Sequence, residues 1–88
     1  MHHELKTDKN CFEASCKGKK YWEIRYNDRD FKVGDTLTLR ETVSSGSAMA
    51  DGAPLEYTGR TLSMYVDYIL HGPVYGLEAG WVIMSVAG

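Results

Sequence analysis

GKKYWEIRYNDRDFKVGD, residues 18–35, is the stretch on which the reading of this chain turns. In KYWEIRY the residues Trp22, Ile24 and Tyr26 alternate with Tyr21, Glu23 and Arg25, the period of two expected of a strand with one buried face. That reading sends Trp22 and Ile24 to the core and leaves Glu23 and Arg25 together on the other face. Behind the strand, NDRDFKVGD is a connector punctuated by Asn27, Asp28, Asp30 and Gly34, in which Asp28, Arg29 and Asp30 can close a turn through side-chain bonds to the backbone. Phe31 and Val33 are expected to plug the end of the sheet.

Working outward, DTLTLRE is a strand in which Leu37 and Leu39 alternate with Thr36, Thr38 and Arg40. Upstream, HHELKT can be extended, and Thr7 or Asp8 can cap a short helix through DKNCFEASCK, with Phe12 and Cys16 at i, i+4 and Gly18 as its left-handed stop. Its apolar stripe is too narrow to stand alone and needs a sheet to pack on. Downstream, TLSMYVDYIL puts Leu62, Met64, Val66, Tyr68 and Leu70 on one face, and WVIMSV reads as a central strand because it is nearly continuously apolar. The small and polar residues from 42 to about 56 read as a flexible loop insertion within a single domain spanning 1–88. The fold class is therefore mainly β with one short helix (α+β), a small barrel or strongly curled sheet of four or five strands, since closure is how a small β protein manages its edges.

The 88 residues, 43% apolar and 25% charged, suit one domain with a core rather than a disordered chain. No apolar run reaches the roughly 20 residues that span a bilayer, and MHHELKTDKN is unlike a signal peptide, so no membrane is expected and the default location is cytoplasmic. The net charge of −2 argues against wrapping polyanions by bulk electrostatics. The charges are unevenly spread, however. Residues 17–40 hold Lys17, Lys19, Lys20, Arg25, Arg29, Lys32 and Arg40 against Glu23, Asp28, Asp30 and Asp35, a local +3, whereas after Arg40 the lone base Arg60 faces five acids, a local −4. One basic working face is the expectation. Cys11 and Cys16, about 140° apart on a helix, read as small buried apolar residues rather than a disulfide or metal pair. His2, His3 and His71 lack a ligand spacing, with His71 read as a solvated loop residue; neither a metal nor a cofactor is expected. No Ser-His-Asp order, phosphate loop or Cys-His spacing supports nucleophilic catalysis.

The densest chemistry is Lys20, Glu23 and Arg25. One reading is a surface Glu23–Arg25 ion pair with Lys20 solvated; the other is a pocket in which Lys20 and Arg25 hold a phosphate or carbonyl while Glu23 reads a base edge or handles a proton. Lys20 begins on the Trp22 side and joins the other two only through a bulge or twist. Further ligand-binding candidates are Arg29, which can reach a phosphate, and His3, at a cleft mouth unless the terminus frays. Tyr65, Trp81 and Tyr75 are candidate base-stacking residues, against the alternative that aromatics of a small barrel belong to its core.

GKKYWEIR followed by KVGD resembles the signature of the ASCH domains, a branch of the PUA-like RNA-binding barrels. HELKT, NDRDFKVGD, YTGR, YILHG and GLEAGWVIMS further resemble a short phage- and prophage-associated ASCH/PUA-like family of largely unassigned function, over nearly the whole chain. The resemblance implies a PUA-like pseudo-β-barrel of about five strands with a cleft beside the helix, lined by Lys20, Glu23 and Arg25, that binds RNA or a nucleotide. One branch of that superfamily hydrolyses an acylated cytidine with a lysine, a threonine and a glutamate; Lys20 matches the lysine, Glu23 occupies the threonine position, and the glutamate has no counterpart. Binding is therefore the leading expectation. The alternatives are a hydrolase of a modified nucleoside with Lys20 as its base, or a phage accessory protein that binds a host protein or sequesters a nucleotide signal. The insertion VSSGSAMADGAPLE, and Asp8 and Lys9 in place of a Trp-Pro pair, depart from the closer family's pattern.

Overall fold

Seven elements follow one another in the computed structural model, which describes residues 1–88: β1 (His2–Thr7), α1 (Lys9–Cys16), β2 (Trp22–Tyr26), β3 (Thr36–Thr42), α2 (Gly46–Ala50), β4 (Tyr57–His71) and β5 (Trp81–Ala87). The strands form one sheet in the order β1-β3-β4-β5-β2, with β1 parallel to β3 and every other pair antiparallel. β4 serves two partners, pairing with β3 from Tyr57 to Tyr65 and with β5 from Tyr65 to His71, and a bulge between Val66 and Tyr68 bends it where it changes partner. The sheet consequently curls into a half-barrel, the strongly curled, mainly β sheet that the strand spacing predicts and a form consistent with the pseudo-β-barrel that the resemblance implies. β5 lies inside the sheet, as its apolar run predicts.

Leu5, Leu37, Leu39, Met64, Val66, Val82, Met84 and Val86 fill the concave side, joined by Phe12 from α1 and Phe31 from the β2–β3 connector. α1 ends where Gly18 (φ +72°) turns left-handed, and the Lys19 and Lys20 amides both donate to the Ala14 carbonyl, pinning the chain to the helix end before β2 begins. Gly72 is required for a different reason: a Cβ there would lie 2.0 Å from the Glu78 carbonyl oxygen.

Several expectations are corrected. Trp22 and Ile24 are 42% and 46% exposed, while Glu23 between them is 2% exposed. The cause is register: Glu23 pairs with Met84 and Arg25 with Val82, residues paired across a ladder share a face, and β5 commits Val82 and Met84 to the core. Val33 is exposed and Phe31 alone plugs the core. The β4 bulge breaks the alternation after Val66, so that Tyr68 faces out and Ile69 packs inward. Cys11 and Cys16 are both exposed, because α1 docks through Phe12 and Ser15. Asp8 stands at the helix N-cap without capping it; its Oδ1 accepts the Gly46 N–H at 3.0 Å. The segment read as a loop carries the single turn α2, capped by the Ser45 hydroxyl, which accepts the Ala48 N–H at 3.1 Å. The connector is tied by Asn27 and Asp35, which accept the backbone N–H groups of Phe31 and Lys32, rather than by Asp28 and Asp30.

Candidate functional site

β1 and β2 are the two edges of the curled sheet, and no backbone ladder joins them. Two arginines bridge the gap instead: Arg25 Nη2 donates to the Lys6 carbonyl at 3.0 Å, and Arg29 Nη1 donates to the Glu4 carbonyl. The carbonyls they use belong to the unpaired edge of β1, which would otherwise be left to water. This seam and the first turn of α1 enclose a cavity of about 250 Å³ whose wall includes Lys6, Thr7, Cys11, Lys20, Glu23 and Arg25.

Glu23 is the centre of the site. Its side chain is 3% exposed, and it accepts Lys20 Nζ on Oε2 and Arg25 on Oε1, through Nη2 at 3.0 Å and Nε at 3.3 Å. Lys20 reaches this carboxylate from its place ahead of β2, since the pinning to Ala14 lets its side chain turn inward before the strand alternation starts. Its ammonium stands 4.9 Å from the centroid of the Trp22 ring, a cation–π position on the rim. Both Glu23 oxygens are thus occupied, while Lys20 Nζ retains N–H groups beyond its single bond to Glu23, and Arg25 Nη1 makes no bond within the protein. Among the wall residues Lys6, Lys20 and Arg25 outnumber Asp8 and Glu23, for a net charge of +1. The arrangement can bind an anion; Glu23 holds the two cations side by side rather than presenting a free base.

A second cavity of about 330 Å³ adjoins the first, sharing Ile24 and Arg25 and extending along Arg29, Tyr26 and Trp81. Arg29 is therefore near the triad, in the next compartment. His3 is elsewhere. It lies inward on β1, 5% exposed, with Nε2 2.8 Å from Asp35 Oδ2 and its ring edge-on to Phe31 at 4.7 Å. The Asp35 carboxyl is held down to about 2, first by the hydrogen bond from His3, then by the Met1 amine and the Lys32 N–H, with burial opposing. The stacking candidates are at the surface: Tyr65, Trp81 and Tyr75 are 46%, 36% and 94% exposed, and Trp81 alone borders a cavity next to the triad.

Lys6, Thr7, Asp8 and Cys11 are site residues that sequence reasoning missed. Only the placement of β1 as the edge opposite β2 brings HELKT and the start of α1 to the triad, and no local pattern records it. A further buried carboxylate, in addition to Glu23 and Asp35, was also unforeseen: Glu41, 1% exposed, accepts the Thr58 hydroxyl at 2.8 Å and Arg60 at 3.5 Å, and Arg60 also pairs with Glu13 at 2.6 Å.

Residues 2–86 match the model of a family described as a domain of unknown function, DUF3850, and the chain belongs to that family. No curated protein matches it.

Proposed function

We propose that this member of the DUF3850 family is an RNA- or nucleotide-binding domain that takes a phosphate of its ligand between Lys20 and Arg25 in the cleft beside α1. The observation that carries the reading is the buried Glu23 carboxylate flanked by two cations whose remaining N–H groups have no protein partner, inside a wall of net charge +1. Such a pair is preorganised: the carboxylate holds both cations in place before the anion arrives, so little side-chain freedom is lost on binding. The resemblance of GKKYWEIR and KVGD to ASCH/PUA-like domains supports the same ligand class, and the adjoining compartment, where Arg29 stands, leaves room for the rest of a nucleotide. A binder fits these residues better than a hydrolase of a modified nucleoside does, because Lys20 is committed to an ion pair and Glu23 has no free oxygen to act as a base.

Titration of a nucleoside 5′-monophosphate and a short single-stranded RNA by calorimetry tests this reading. Affinity should fall as salt rises, vanish in Lys20→Ala and largely persist in Lys20→Arg. In a Cys16→Ser background, the ligand should also slow alkylation of Cys11, which lines the cavity. Absence of binding at millimolar ligand, or affinity indifferent to salt, rules the reading out. Release of product from an acylated cytidine that disappears in Lys20→Arg replaces it with the hydrolase.

A further inference from the structure

The outward face of the sheet has two halves. Over β1 and β3 it is polar, carrying His2, Glu4, Lys6, Thr36, Thr38 and Arg40. Over β2, β5 and β4 the register lines up three cross-strand rows: Trp22–Ser85–Tyr68, Ile24–Ile83–Leu70 and Tyr26–Trp81. None of these eight residues is charged. Trp22, Ile24, Tyr26, Tyr68 and Trp81 are 42%, 46%, 56%, 64% and 36% exposed. With about 150–250 Å² for each whole aromatic side chain, the four aromatics expose roughly 400 Å², and Ile24 adds to them, a patch in the upper part of the roughly 300–600 Å² range of the largest patch on an ordinary monomer. The half-buried Leu70 and Ile83 between them bring the face towards the ~800 Å² per partner of a standard interface. The patch is also ordered: Tyr26 and Trp81 meet edge to face at 5.9 Å, and Tyr26 lies over Gly80, where a Cβ would come within 2.8 Å of its ring.

We propose that this face is the interface between two copies of the chain, packed sheet on sheet about a two-fold axis. The row pattern argues for a second copy. An aliphatic row runs between two aromatic rows, so a two-fold axis near Ile83 sets aliphatic on aliphatic and aromatic on aromatic, which an isologous contact requires. Uncharged faces meet without like-charge repulsion, while the acids nearest the patch, Asp67 in the β4 bulge and Glu78 beside Ile24 and Trp81, stay at its rim. The three rows carry no base of their own, so a nucleic-acid backbone has nothing to hold it on the face itself; Lys20, Arg25 and Arg29 stand in the cleft at its edge. Two such sheets stack about 10 Å apart, close enough for these side chains to interdigitate.

Both tryptophans of the chain, Trp22 and Trp81, lie on this face, so intrinsic fluorescence reports its burial. Sedimentation velocity and emission spectra of the full chain from 2 to 200 µM (on the order of the range in which interfaces of this size associate) form the test. The wild type should sediment as a dimer at the upper end, with emission shifting to the red on dilution. Tyr68→Lys and Ser85→Lys should be monomeric and red-emitting throughout with unchanged circular dichroism; Ser63→Lys, opposite Thr38 where the first half of β4 continues the polar surface, should leave the dimer intact. Tyr68, at 64% exposed, is the safer of the two for folding and carries the test if Ser85→Lys fails to fold. A wild type that stays monomeric at the highest concentration overturns the proposal, as does a dimer that survives Tyr68→Lys or is broken by Ser63→Lys.

Discussion

Along the body of β3 the inward positions are Leu37 and Leu39 and the outward ones Thr36, Thr38 and Arg40, with Glu41 inward only at its end; in β2 the inward positions are Glu23 and Arg25 and the outward ones Trp22, Ile24 and Tyr26. Both strands alternate with a period of two, and their polarities are opposite. β3 lies inside the sheet between β1 and β4, so Leu37 and Leu39 meet other core residues, and only at the end of the strand does Glu41 need polar partners, Thr58 and Arg60. β2 is the edge beside the seam, where inward side chains reach an open cleft and where three charged groups satisfy one another. The comparison teaches that alternation in an edge strand reports which residues share a face and leaves open which face is buried.

The largest effect should come from removing the common partner of the inverted strand. Glu23→Gln leaves the Lys20 ammonium and Arg25 guanidinium buried together without a counter-charge, and urea unfolding should show a loss of about 3 kcal/mol or more. Replacing all three at once (Lys20→Met, Glu23→Leu, Arg25→Met) should restore stability to within about 1 kcal/mol while nucleotide binding is lost. If the triple variant is as unstable as Glu23→Gln, the triad holds the fold rather than serving a ligand, and the contrast between the strands loses its functional meaning.

Leu39→Ala in β3 opens a cavity in the core and should cost about 3 kcal/mol, whereas Ile24→Thr in β2, at an exposed site, should cost under about 1 kcal/mol in a monomeric background. Similar losses at the two sites would show that β2 buries its apolar face after all.

Acid stability probes the inward polar pair of β1. Because Asp35 has its carboxyl lowered from 3.8 to about 2 in the folded state, the native protein binds that proton less readily than the unfolded chain. Its contribution is present above about pH 4 and is lost as the pH falls through about 2, amounting to at most about 2 kcal/mol. Asp35→Asn should flatten the stability profile over that window; an unchanged profile would mean that His3 does not hold the carboxylate. The smallest effect is expected at the seam itself, where Arg29→Ala removes one exposed bond to the Glu4 carbonyl, worth about 1 kcal/mol, and should speed hydrogen exchange in β1 more than in β4.

Local sequence carried a good deal of this protein. The period-two patterns, the Gly18 stop and the apolar run of β5 specify the elements and their order, because each is a short-range property of backbone geometry and burial. The grouping of Lys20, Glu23 and Arg25 was likewise legible from a few residues of one strand. Tertiary structure alone decided that Glu23 rather than Trp22 faces inward, since that follows from pairing with Val82 and Met84 nearly sixty residues away. It also decided that Lys6, Thr7 and Cys11 stand across the cleft from the triad, since β1 joins the sheet at the opposite edge. Alternation has two solutions related by exchange of faces, and only a long-range register selects between them.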